Sequence, residues 1–183
     1  MPNPLHPSVV QFPIVFGVLL PVAAVAAFWL TRRAPAARGP WLTMAAVSLA
    51  LVISGWVALR TGRAQEETVE SVVAEATIHD HEELGEGLLL GSGLTALIVL
   101  VGLAPGRLGR GARALAVVAS FTVPVLAFRV GHSGGQLVYE HGAASAYVQA
   151  GPGAASGSAE HGQEDGHSQR EEHEGREGEH RGP

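Results

Sequence analysis

The 183-residue sequence has no cysteine, no lysine, and only two methionines, Met1 and Met44. Without thiols there can be no disulfide, iron–sulfur cluster, thiolate zinc site or cysteine-ligated copper or haem. Any bound metal must use histidine, carboxylate, backbone or water. With lysine absent, twelve arginines carry all the positive charge, and they form no basic stripe of the kind that binds nucleic acid. Residues 1–150 hold nine arginines against nine acids, whereas residues 151–183 hold three against eight, so the C-terminal part carries the whole net charge of −5.

Charge is also missing from four long runs. Val9–Leu30 and Trp41–Leu59 contain none, Leu88–Leu103 can recruit Leu84–Gly87 at its start, and Ala114–Phe128 is bounded by Arg113 and Arg129. A helix crossing the hydrocarbon layer needs about 20 apolar residues. The runs therefore predict an all-α, integral membrane four-helix bundle over residues 1–142, with spans at about 9–30, 41–59, 84–103 and 114–130. No amphipathic elements are present to cover the shorter runs as the core of a soluble domain. The first run has no positive charge before it and Arg32 and Arg33 after it, the reverse of a cleaved signal peptide. Pro13, Pro21 and Pro124 are expected to kink or begin helices. Helix packing is expected along Ala46, Ala50, Ser54 and Ala58, and along Gly87 and Gly91.

Orientation follows from the connectors. Residues 32–40 and 104–113 each contain three arginines and no acid, which places both in the cytoplasm. Residues 60–87 contain two arginines and eight acids and fall outside, together with both termini. Trp29, Trp41 and Trp56 are read as interface anchors. Residues 143–159 read as an Ala/Gly/Ser linker, and residues 160–183, with four histidines among glutamates and glycines, as a disordered tail.

This topology puts His6, His79, His81, His132 and His141 on the outer side. One reading is polar residues capping helix ends at the interface. The other is convergence on a histidine-lined site for haem b or a divalent transition metal, with His6, His81 and His132 as ligands. Residues 64–87 read as one acidic helix, with Val69, Val72, Val73 and Ala76 on an apolar face. Glu70 and His81 are then three turns apart on one side, and Glu67 is nearby. Glu67, Glu70, His79 and His141 are weaker metal or ligand-orienting candidates. In "GHSGGQLVYEHG" (131–142), His132, Gln136 and Tyr139 share a side and His132 is expected to face the bundle. His141 joins it only if the chain bends at Gly134–Gly135.

The boxes "LHPSVVQFPIVFG", "ISGWVALRTGRAQEETVE" with "HDHEELGE", and "GHSGGQLVYEHG" together resemble the domain-of-unknown-function 2231 family of predicted bacterial membrane proteins, over residues 5 to about 142. The resemblance implies a four-helix bundle in a bacterial inner membrane and no established activity. By position it carries over His6, Glu67, Glu70, His81, Glu82, His132, Tyr139 and His141 as the family-like polar set. The family commonly reads H-P-x-x-V-H-F-P, and Gln11 stands here where its second histidine would be.

Three functions are in play: a haem- or metal-bearing redox subunit with a membrane redox partner or a second copy of the chain, a transport or proton-relay component, and a structural or partner-recruiting protein. Intramembrane ionisable groups, which a relay needs, are nearly absent. No nucleophile–base–orienter set is visible, so a stand-alone hydrolytic enzyme is not expected. The topology has a direct test, because the chain has no cysteine of its own. In sealed cells an impermeant maleimide should label Ala64→Cys and Ser156→Cys and leave Ala37→Cys unlabelled.

Overall fold

The computed structural model describes residues 6–34 and 38–149. The tail histidines and Ser156 lie outside them. The described residues form eight helices: α1 (His6–Val9), α2 (Gln11–Arg33), α3 (Gly39–Arg63), α4 (Glu66–Glu70), α5 (Glu75–Val101), α6 (Gly106–Ser120), α7 (Thr122–Tyr139) and α8 (Ala143–Gln149). Four stretches are long and apolar enough to cross a membrane: α1–α2, α3, α5 and α6–α7. Helix is what such a sequence must adopt in lipid, where every backbone N–H and C=O has to be satisfied within the segment.

Two of these stretches are broken, and proline explains both breaks. Pro13 and Pro124 lack the N–H that would bond Val9 and Ser120, and the chain turns at Val10 and Phe121, three residues before each proline. At the second break the Ser120 and Thr122 hydroxyls donate to the carbonyls of Val117 and Ala119, each at 2.7 Å. Pro21 sits inside α2 without ending it.

Chain neighbours pack on one another: α2 on α3, α3 on α5, and α5 on α6 and α7. The last pair closes the ring against α2. The buried positions repeat with alternating steps of three and four. They are Pro13, Gly17, Leu20, Ala24, Ala27 and Thr31 on α2, and Trp41, Met44, Ser48, Leu51 and Ala58 on α3. On α5 they are Leu88, Ser92, Thr95 and Val99, and on α6–α7 Gly109, Ala116, Ser120, Val123, Ala127 and Leu137. This 3.5-residue average is the heptad seam of helices crossing at about 20°. Most seam residues are small or carry a hydroxyl, while bulky residues such as Val18, Leu49, Leu94 and Val118 point outward. Three of the hydroxyls spend their hydrogen bonds on their own helices, Thr31 to Ala27 O, Ser48 to Met44 O and Thr95 to Gly91 O, at 2.8–2.9 Å, whereas Ser92 Oγ is buried without a partner among the described residues.

The seam corrects the packing expected from the sequence. A row of residues four apart advances 40° per step around a helix (from 3.6 residues per turn), so Ala46 ends up exposed and only Ala58 of that row is fully buried. Gly87 is exposed, whereas a Cβ added at Gly91 would lie 2.8 Å from Leu126 Cδ1. Trp41 is not an interface anchor: it is 0% exposed, and its Nε1 donates to Val99 O at 2.8 Å. Trp29 and Trp56 are half exposed.

The acidic connector also differs from the expected single helix. It breaks over Ser71–Ala74, where Ala74 is extended (φ −62°, ψ 132°), and α5 then runs without interruption from Glu75 into the third span. The break turns Val73 inward against Leu137 and Ala143, with Val69, Val72 and Ile78 around them. Residues 143–149, expected as linker, form α8 instead. Alanine favours helix, Ala143 and Ala146 are buried, and Tyr147 donates to Gln65 Oε1 at 2.8 Å.

Trp41 fits only because Gly102 has no side chain. A Cβ there would lie 2.5 Å from Trp41 Nε1 and 2.7 Å from two ring carbons. Gly102→Ala should therefore destabilise the bundle by about 1–3 kcal/mol, seen as a lowered Tm and altered tryptophan fluorescence, whereas Gly93→Ala, in open space, should be nearly silent.

Candidate functional site

At the end of the bundle that carries the acids, the seam continues with different residues. One heptad before Pro13 stands His6, and one heptad before Leu88 stands His81. One heptad after Gly55 stands Gly62, and one after Ala127 stands Gly134. The two glycines make room for the two imidazoles. A Cβ at Gly62 would lie 3.2 Å from His6 Cε1, and a Cβ at Gly134 would lie 3.1 Å from His81 Cε1. Both rings are partly buried.

Both rings are held by hydrogen bonds at Nδ1. His6 Nδ1 lies 2.9 Å from Ala58 O, which can only accept, so Nδ1 carries the proton. Thr61 Oγ1 already donates to the same carbonyl and so accepts from His6 at 3.3 Å. His81 Nδ1 lies 2.7 Å from Ser133 Oγ, whose own proton goes to Val130 O at 3.1 Å. With the Ser133 proton on Val130 O, His81 donates to Ser133 from Nδ1. Among the described residues neither Nε2 has a hydrogen-bond partner, and an Nε2 left free in this way can ligate a metal.

Beside the pair, Arg63 on α3 bonds both Glu82 and Glu86 on α5. This double ion pair clasps two helices at the level of the imidazoles. It also occupies Glu82, which the family resemblance had placed in the polar set.

The remaining candidates are not gathered here. His132, expected to face the bundle, is exposed and stacked on Phe128 with ring centroids 6.1 Å apart. The inward position belongs to its neighbour Ser133, because α7 continues as helix through Gly134 and Gly135 to Tyr139 and makes no bend. His132 lines a shallow open groove with Gly131, Gly135, Gln136, Tyr139 and Glu140 instead, and Tyr139 is 89% exposed. His141 is exposed beyond the helix end, and His79 is exposed with its Nε2 3.7 Å from Glu83. Glu67 and Glu70 are exposed on α4, and the break at Ser71–Ala74 removes the shared face with His81. Gln11 is exposed at the start of α2.

Among the described residues, no three His, Asp or Glu side chains form a group that could hold a metal. Sequence reasoning missed Thr61, Gly62, Ser133, Gly134 and the Arg63 clasp.

A family model described as "Predicted membrane protein (DUF2231)" matches residues 2–146, most of the chain. Comparison with curated proteins and with solved structures gives no match.

Proposed function

The chain belongs to the DUF2231 family of predicted membrane proteins, and we propose that it binds one divalent transition-metal ion between His6 and His81, at the outer face of a bacterial inner membrane. What supports this reading is the pair of Nε2 atoms without a partner among the described residues. The rings come from helices 75 positions apart in sequence, and each is oriented by a bond from its Nδ1 proton. The arginine-only connectors argue for the outward placement of this end.

Haem fits the site poorly. Each ring is packed against the backbone of the facing helix at Gly62 or Gly134, and a porphyrin would have to part helices whose seams are already closed. A bare ion needs no such space. With only two protein ligands, affinity must come from the metal's own preference for nitrogen, and copper heads that order. The remaining coordination positions stay open to water or to a group offered by a partner. A proton relay across the membrane is disfavoured by the interior, where the buried polar residues among those described, Thr31, Ser48, Ser92, Thr95 and Ser120, are all hydroxyls.

The test uses the full chain with His161, His167, His173 and His180 replaced by Gln, so that the tail cannot compete. Titrated with Cu(II) in detergent, it should bind one equivalent and show nitrogen hyperfine structure from two imidazoles by EPR. His6→Ala or His81→Ala should weaken binding about 10-fold or more. Binding unchanged by either substitution would refute the site. A Soret band in the purified protein, lost with His81→Ala, would replace the ion with haem.

A further inference from the structure

The opposite end of the bundle has a charge that no acid among the described residues balances. Arg32, Arg33, Arg38, Arg107, Arg110 and Arg113 all lie there, on the ends of α2 and α6 and at the start of α3. Every acid of residues 1–149 falls within 66–86 or at Glu140, at the far end. Among the described residues all ion pairs are at that far end as well. Five of the six guanidinium groups are exposed. Arg113 is tied by Nε to Gly102 O at 2.7 Å.

Two of the exposed arginines are stacked on aromatic rings. The Arg33 guanidinium sits 3.8 Å over the Trp29 ring, and that of Arg32 4.7 Å over Phe28. Trp29 itself is 51% exposed at the edge of the apolar surface. Aromatic rings of this kind settle at the interface, and a guanidinium stacked on one is held at phosphate depth with its fork of donors free. Leu108, 69% exposed beside Arg107, offers lipid an apolar side chain on the helix turn that carries Arg107 and Arg110. The N-termini of α3 and α6 open at the same end without a side-chain cap, adding partial positive charge.

We propose that this arginine-only end is a docking surface for the phosphate headgroups of anionic phospholipid, and that the bundle is stabilised by them. Loop arginines that only set topology would leave stability indifferent to headgroup. Arginines fixed on helix ends and stacked on interface rings make it depend on headgroup charge.

The test is thermal unfolding of the full chain in nanodiscs of phosphatidylcholine alone or with phosphatidylglycerol added. The anionic lipid should raise Tm by about 3–6 °C, and the shift should shrink as sodium chloride is increased. Arg107→Gln with Arg110→Gln leaves four arginines to direct insertion and should remove about half of the shift. Arg129→Gln, at the other end, should keep all of it. Equal Tm in the two lipids, a shift indifferent to salt, or equal loss with Arg129→Gln would overturn the proposal. So would inorganic phosphate giving the same shift to the protein in neutral detergent, which would make the surface a site for free anion. If the double variant does not insert, the lipid and salt arms on the unaltered chain still decide.

Discussion

In lipid, an apolar side chain gains nothing by leaving its solvent, so the helices of this bundle are held by how closely their backbones approach. Everything else in the structure rests on that closeness. The seam of Gly17, Ala24 and Ala27 on α2, Ser48 and Ala58 on α3, Ser92 and Thr95 on α5, and Ala116, Ser120 and Ala127 on α6–α7 supplies it at alternating three- and four-residue steps. Trp41, fully sunk into the arginine end, is accommodated by the absent side chain of Gly102 and pinned by its bond to Val99.

The candidate site is the last layer of the same seam. Where the bundle meets the acidic end, the heptad positions become His6, Gly62, His81 and Gly134. A glycine on one helix makes room for an imidazole from another, and hydrogen bonds from Nδ1 then leave both Nε2 atoms uncommitted among the described residues. The rule that packs the membrane core thus also orients the imidazoles. Arg63, bonded to Glu82 and Glu86, holds α3 and α5 together beside them.

Much of the architecture was legible in the chain, because spans are written in uninterrupted apolar length and the charged connectors are written in arginine. The seam was not, because in a bilayer both faces of each helix are apolar and the periodicity that marks a buried face in water is erased. The acidic connector misled for another reason. Its alanines, valines and glutamates are compatible with one long helix, but burying Val73 against Leu137 decides the break at Ser71–Ala74, and that contact is tertiary. Of the three ligands expected, His6 and His81 each meet a glycine of a facing helix, Gly62 and Gly134. His132 took the place that belongs to Ser133, because a charge-capable residue draws attention that a serine does not, and one position along a helix is 100° of rotation.

The central claim is that the seam sets the helix spacing, and the cysteine-free chain allows it to be read chemically. A Cβ added at Gly17 would lie 3.6 Å from Ala127 Cβ, within the span a disulfide requires. Gly17→Cys combined with Ala127→Cys should close an intramolecular disulfide under mild oxidation in the membrane, while Val18→Cys with Phe128→Cys, one position along each helix and facing lipid, should not. A lipid-facing pair that cross-links while the seam pair stays reduced would contradict this register and the placement of the imidazoles built on it.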